Sequence, residues 1–199
     1  MLLTMTTTSR NTPAHALRTV LNRVRAVLPV APAPQYVEPE GDPQLGWLRR
    51  LDRVRSALEQ ARADLLTSGW ASGAWFTVAT SDGGTRAASP AESVRLVRPG
   101  ASVRGACLVA TMLLRADDPD RATSHADVWG CVDELVEALH ERTGRPAYPP
   151  GWSHPPAQRY ARLRVLTAWN DAPGRTRDDV VALLDHAIGR TIVGACRAS

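Results

Sequence analysis

The stretch Ala168–Gly189, AWNDAPGRTRDDVVALLDHAIG, joins the end of one predicted helix to the beginning of the last one. Its Pro173-Gly174 pair is typical of a tight turn, because proline fixes one φ angle and glycine accepts a positive φ at the next position. Thr176 stands three residues before Asp179, the spacing at which a threonine hydroxyl caps a helix. The stretch therefore predicts a helical corner, with a last helix over residues 177–188 that a glycine ends.

Four residues of this corner are candidate binding residues. Asn170 and Asp171 are types that readily end a helix by bonding to nearby backbone, and Trp169 is interpreted as an aromatic anchor for the turn. Only Arg175 has no local role, and with Asp171 it forms a candidate anion site beside a helix N-terminus. We interpret the corner as a structural joint, with ligand binding by these four residues as the alternative.

Helical periodicity recurs through residues 45–189, the predicted domain, before a tail over 190–199. The first helix of this domain shows apolar residues at steps of three and four before Ser68-Gly69, namely Leu48, Leu51, Val54, Leu58, Ala61 and Leu65. Further helices are predicted from Ser102 to about Arg115, from Ser124 to about Arg142, and over residues 157–168. The helix after Ser102 is so apolar that we expect it to be the central, buried one.

Two segments interrupt the helices. Trp75 to Thr80 favours a strand, and Ser81-Asp82-Gly83-Gly84 is typical of a hairpin turn. Arg145 to Pro156 contains five prolines and predicts an irregular loop. Within it Trp152 is a further candidate binding residue, which either lines a groove or folds back into the core. The predicted fold is thus mainly α, a compact bundle of about five helices with one small β-hairpin.

Three segments resemble a family of small, uncharacterised actinobacterial proteins, a domain of unknown function. They are the WNDAPGRT signature of the corner, the run Gly69–Trp75 (GWASGAW), and Cys107 in GACLVATMLLRA. The resemblance covers about Leu48 to Gly189 and implies a small, α-rich fold, but no activity. Ala71 stands where many members carry a cysteine or another polar residue.

The N-terminal part has a different character. Residues 1–11 are predicted to be disordered, and 12–28 form an amphipathic arm helix on a proline-rich linker, 29–44. The apolar stripe of this arm is its predicted interface: Leu17, Val20, Leu21, Val24, Val27 and Leu28. An isolated helix of this length is marginal in water, so the arm must dock on its own domain, on a sister subunit or other protein, or on an anionic surface.

Charge follows the same division. All 24 basic residues are arginine, and the net charge of +4 lies within residues 1–37, which contain no acidic residue. In the rest of the chain the positive and negative charges balance. Nucleic-acid binding is therefore a weaker interpretation, and it would involve the arm alone. No apolar run long enough for a membrane span and no secretory signal is found, so a cytoplasmic location is expected.

Catalysis is a weaker interpretation. The candidate nucleophile is Cys107, with His125, His140, His154 or His186 as base and Asp171 to orient it. The apolar neighbours of Cys107 instead favour a small buried side chain. The three cysteines and five histidines show no metal-ligand spacing, so neither a metal nor a cofactor is expected. The sequence thus predicts a non-enzymatic interaction or regulatory protein acting through its arm.

Overall fold

A computed structural model describes residues 42–96, 103–113 and 125–198 of the chain. These ranges contain six helices and a small antiparallel sheet, which confirms the predicted fold class. The helices are α1 (Pro43–Ser68), α2 (Pro90–Leu96), α3 (Leu108–Leu113), α4 (His125–Arg142), α5 (Pro156–Asn170) and α6 (Arg177–Ala198). The predicted arm helix and its linker as far as residue 41 lie outside the described residues.

Helix α1 begins at Pro43, so residues 43 and 44 belong to it and not to the predicted linker, and it ends at the predicted Ser68-Gly69 stop. The Asp42 side chain accepts a hydrogen bond from the Gln44 amide at 2.9 Å, and Gly69 follows the last turn with a positive φ of 96°. The predicted stripe faces the core, with Leu51, Val54, Leu58, Ala61 and Leu65 buried. None of the helices in the described ranges combines the length and apolar character needed to cross a membrane.

Helix α4 is the central helix of the domain. It packs against α1, α5 and α6, and its residues 130–139 are all buried. The predicted central helix, residues 102–115, takes a smaller part because its helical turns begin only at Leu108. The backbone before Leu108 instead joins the sheet, where the Arg104 amide donates to Thr77 O at 2.8 Å and the Cys107 amide donates to Trp75 O at 2.9 Å.

The sheet has three strands rather than the two of the predicted hairpin. Strands β1 (Phe76–Ala79) and β2 (Thr85–Ala87) pair as expected, and β3 (Gly105–Ala106) adds to the other edge of β1 in the order β2-β1-β3. A strand of two residues has no readable alternation of its own. Strand β3 forms only because it bonds to β1, which lies far away in the sequence. The sequence analysis therefore did not predict it.

Helix α6 continues beyond Gly189, which was wrongly predicted to end it. Residues 190–198, predicted as a tail, form further turns of this helix. Arg190 and Thr191 are buried there, and a Cβ at Gly194 would lie only 2.7 Å from the Pro150 ring. Tertiary packing therefore extends the helix past a glycine that would be a stop in isolation.

Two helical glycines provide a test of this packing. Gly130 on α4 lies so close to α1 that an added Cβ would be 2.6 Å from Cγ2 of Val54, a buried and branched side chain. We expect Gly130→Ala to lower the free energy of unfolding by about 1–3 kcal/mol through overpacking. A Cβ at Gly189 meets nothing within 4 Å, so the matched change Gly189→Ala should raise it by about 0.5–1 kcal/mol. Denaturant unfolding checks both values, and equal effects of the two changes would contradict the close approach.

Candidate functional site

The corner after α5 is organised by Asn170. This side chain is completely buried, and all of its hydrogen-bonding groups are used. Its Oδ1 accepts from Trp70 Nε1 at 2.8 Å and from the Leu108 amide at 3.2 Å. Its Nδ2 donates to Ala71 O at 3.1 Å and to Asp171 Oδ1 at 2.7 Å. Asn170 thus joins the end of α5 to the Trp70–Ala71 segment and to the beginning of α3.

Asp171 and Arg175 point to different neighbours. Asp171 Oδ1 accepts a hydrogen bond from the Gly73 amide at 2.9 Å, which ties the corner to the GWASGAW run. Arg175 lies over the Trp169 ring, with its guanidinium carbon 4.0 Å from the ring centroid, and its Nε donates to Trp169 O at 3.2 Å. The candidate anion pair therefore consists of two side chains that are each engaged in holding the corner.

The beginning of α6 has the predicted cap. The Asp179 amide donates to the Thr176 hydroxyl at 3.2 Å, and the Thr176 amide donates back to Asp179 Oδ2 at 3.0 Å. The hydrogen bonds that the Asp179 carboxylate accepts from the Thr176 amide and hydroxyl lower the pKa of Asp179, because they favour its ionised form. The corner thus caps the Asp179 amide at the beginning of α6 with its own side chain.

A second cluster of polar groups lies on α4, where three buried carboxylates hold the proline-rich loop. Glu137 Oε2 accepts from the Tyr148 amide at 2.8 Å, Glu134 Oε1 from the Gly151 amide at 2.6 Å, and Asp133 Oδ2 from the His154 amide at 3.3 Å. We call Asp133, Glu134 and Glu137 the α4 carboxylates. The loop is irregular, as predicted, but it is fixed to the central helix at three points.

Two buried arginines form ion pairs with this cluster. Arg162 on α5 lies 2.8 Å from Asp133 and 2.6 Å from Glu137, and Arg190 on α6 donates to Glu134 at 3.1 Å. Asp133 and Glu134 thus form ion pairs with two different helices. Adjacent residues on a helix point in different directions, so their side chains do not face each other. Pairing and hydrogen bonding offset the several kcal/mol that burying each ion costs.

The α4 carboxylates differ in pKa. Burial raises the pKa of Asp133 and of Glu134, although the arginines oppose that rise. Burial also acts on Glu137, but the Tyr148 amide and Arg162 outweigh it and lower the pKa of this carboxyl. Glu137 additionally lies 3.1 Å from His154 Nε2. Because each carboxylate already has amide and cationic partners, the cluster is built to hold the loop.

The loop presents two aromatic rings to solvent. Tyr148 and Trp152 stack with centroids 5.4 Å apart and 20° between their planes, and they are 51 % and 50 % exposed. His154 is buried and meets the edge of the Tyr148 ring. Trp152 therefore does not fold back into the core. We call Tyr148 and Trp152 the aromatic pair.

This aromatic pair lies beside the beginning of α1. A Cβ at Gly151 would overlap the indole nitrogen of Trp47, so the loop touches the first turns of that helix directly. The corner at Asn170 lies at the opposite end of α5, about 20 Å away along the helix axis. The sequence-predicted binding residues thus occupy two separate places, Trp152 at one and the corner residues at the other.

Cys107 does not have the surroundings of a nucleophile. It is 2 % exposed, and burial raises its pKa to about 12, although the amides of Val109 and Ala110 act in the opposite direction. His140, His154 and His186 have carboxylate neighbours on the α4 side of the domain, namely Glu137 and Glu141. Within the described part of the chain, no group of three His, Cys, Asp or Glu side chains is placed to hold a metal ion.

A family model described as a family of unknown function (DUF6197) matches residues 49–190. The chain belongs to this family. No curated protein and no solved structure matches the chain. The matched residues of the DUF6197 domain include the corner, the α4 carboxylates and the aromatic pair, whereas the arm and Trp47 lie outside the match.

The sequence analysis of the DUF6197 domain did not predict that the α4 carboxylates form one cluster with Arg162 and Arg190. The available signal was a helix whose acidic residues interrupt its apolar positions. Such residues are normally assigned to a solvated face, and only the packing of three helices around α4 shows that they are buried.

Replacing Asn170 tests the corner. Asn170→Ala leaves Trp70 Nε1, the Leu108 amide and Ala71 O without their partner, so we expect a loss of about 2–4 kcal/mol in the free energy of unfolding. Asp178→Ala is the matched control, because the Asp178 side chain is 93 % exposed, and it should change stability by less than about 0.5 kcal/mol. Urea unfolding monitored by tryptophan fluorescence measures both, and a neutral Asn170→Ala would remove the corner's structural role.

Thiol reactivity tests Cys107. At pH 8 a thiol of pKa about 12 is ionised in only about one molecule in 10⁴. Iodoacetamide should therefore modify only the exposed Cys196 in the folded protein, and all three cysteines in guanidinium, as counted by mass spectrometry. Cys196→Ser is the control and should leave no fast-reacting thiol. Rapid modification of Cys107 in that variant would revive the catalytic interpretation.

Proposed function

We propose that this protein is a non-enzymatic interaction or regulatory protein that self-associates through its N-terminal arm. The observation that carries the proposal is the exposed aromatic pair beside the beginning of α1, where the arm and linker join the domain. Leu45, 46 % exposed on the first turn of α1, adds apolar surface close to that junction. Stacked Tyr and Trp rings exposed to this extent are typical of protein interfaces.

The polar and potentially reactive side chains of the domain support the same proposal. The corner residues bond to neighbouring backbone, the α4 carboxylates hold the loop, and Cys107 is buried with a raised pKa. In each case the group is engaged in stabilising the fold. The composition and the resemblance further support an actinobacterial, cytoplasmic protein as part of the proposal.

Two rival functions use other residues. A small enzyme would act through Cys107 or through Asp171 and Arg175, and its test is the thiol measurement above together with activity loss in corner variants of unchanged stability. Nucleic-acid binding would act through the arginines of the arm, and the position of the whole net charge within residues 1–37 favours it as the second candidate.

The arm stripe can be tested within the full chain. Wild-type protein should scatter light with at least twice the 21.5 kDa mass of one chain, and Leu21→Asp should return it to that mass, because a charge on the stripe opposes burial. Asn22→Asp is the matched control, since it adds the same charge on the opposite side of the predicted helix and should leave the mass unchanged.

Three outcomes would decide against self-association through the arm. They are a wild-type protein of one-chain mass at all concentrations, an assembly that survives Leu21→Asp, and an equal effect of both variants. Salt-dependent DNA binding that is lost when Arg18, Arg23 and Arg25 become glutamine would instead favour the nucleic-acid function.

A further inference from the structure

We propose that the aromatic pair is a docking site for the proline-rich segment Pro29–Pro34 of a second copy of this chain. The inference rests on the proposed self-association and names the surface that receives the linker. The segment reads Pro-Val-Ala-Pro-Ala-Pro and carries no charge. It precedes the junction at Asp42, the residue that caps α1.

The aromatic pair suits an extended proline-rich ligand. In a polyproline II helix three residues make one turn, so Pro29 and Pro32 present their rings along one edge. Proline-rich segments of this spacing bind exposed Tyr and Trp rings in other proteins, because both partners are rigid and apolar with few rotamers to lose. Tyr148 and Trp152 are the two stacked rings that the loop turns outward.

The receiving surface is already ordered. The amides of Tyr148 and Gly151, at and beside the two rings, are bonded to Glu137 and Glu134, and the Trp152 amide donates to Pro149 O at 3.2 Å. The backbone that carries both rings is therefore held, and the rings stack on each other. Binding then loses little conformational entropy at the surface, which favours a small contact of only two rings.

The part of the linker after Pro34 is long enough to extend well away from α1. Residues 35–42 separate Pro34 from α1, and an extended chain of that length spans roughly 25 Å. Trp47 stands in the first turns of α1 against the loop that carries the rings. Two chains whose arms associate can thus each place a proline segment on the other's aromatic pair, a reciprocal contact of twofold symmetry.

The arm stripe is a less suitable occupant of this surface. A stripe from Leu17 to Leu28 extends about 17 Å along a helix, whereas the stacked rings of the aromatic pair lie only 5.4 Å apart. One turn of a polyproline II helix, from Pro29 to Pro32, spans about 9 Å, so this repeat matches two rings better than the longer helical stripe does. The stripe remains available for the arm of the second copy.

Complementation between variants of the full chain tests the proposal. Trp152→Ala removes a docking ring, and the combined change of Pro29, Pro32 and Pro34 to alanine removes the ligand. Each variant alone should dissociate with a constant raised about tenfold or more. Mixing the two should recover part of the lost affinity, because one docking ring and one proline segment can still meet across the mixed pair. Sedimentation velocity with one variant fluorescently labelled measures the mixed species.

The controls separate docking from folding. Trp152 is half exposed, so Trp152→Ala should keep the domain folded, and Trp152→Phe should retain most of the association because a ring remains. Leu66→Ala, at the other end of α1 and 42 % exposed, should not affect association at all. An effect of Leu66→Ala equal to that of Trp152→Ala would overturn the assignment of the surface.

Failure of this inference differs from failure of the proposed function. If Leu21→Asp dissociates the protein while Trp152→Ala and the proline changes do not, the arm associates and the docking proposal is wrong. If both variants weaken assembly but their mixture recovers nothing, the segment binds its own domain and not the second copy, which also overturns the proposal. A wild-type protein of one-chain mass overturns the proposed function itself.

Discussion

Glu134 and Glu137 lie on the helix that the other long helices surround, so these carboxylates depend on partners within the protein. A charged group left alone in such a place costs several kcal/mol. Arg162 from α5 and Arg190 from α6 supply the positive charge, and the loop between α4 and α5 supplies amides. The same carboxylates therefore hold the two outer helices on α4 and determine the path of a loop that has no secondary structure of its own.

The order of these contacts explains the shape of the loop. Its amides at positions 148, 151 and 154 bond in turn to carboxylates at 137, 134 and 133, so the loop runs backward along the helix it has just left. Prolines have no amide to donate, and their abundance leaves few N–H groups to satisfy. Glu137 and Glu134 take two of the available amides, at Tyr148 and Gly151, and this fixes the aromatic pair at the surface without burying it.

Local signals in the sequence predicted the parts of the fold that depend on local physics. The stripe of α1 and the Thr176–Asp179 cap follow from periodicity and spacing alone, and both are observed. Strand β3 and the extension of α6 past Gly189 depend on distant neighbours, so no local pattern indicated them. For the candidate site, the sequence named Trp152 and Asn170 as binding residues, and that role stays a prediction. Their contacts required the fold, because Asn170 reaches partners about 60 and 100 positions earlier in the chain.

The two ends of α5 therefore serve different physical purposes. At its C-terminal end Asn170 uses every polar atom inside the protein, which leaves none to recognise a ligand. At its N-terminal end the α4 carboxylates bond to the loop amides, but the rings of Tyr148 and Trp152 remain half exposed. Burying an exposed apolar surface on a partner lowers the free energy. A hydrogen-bond network that is already satisfied gains nothing further in this way. The proposed association should therefore use the aromatic end of α5, and apolar contact should drive it.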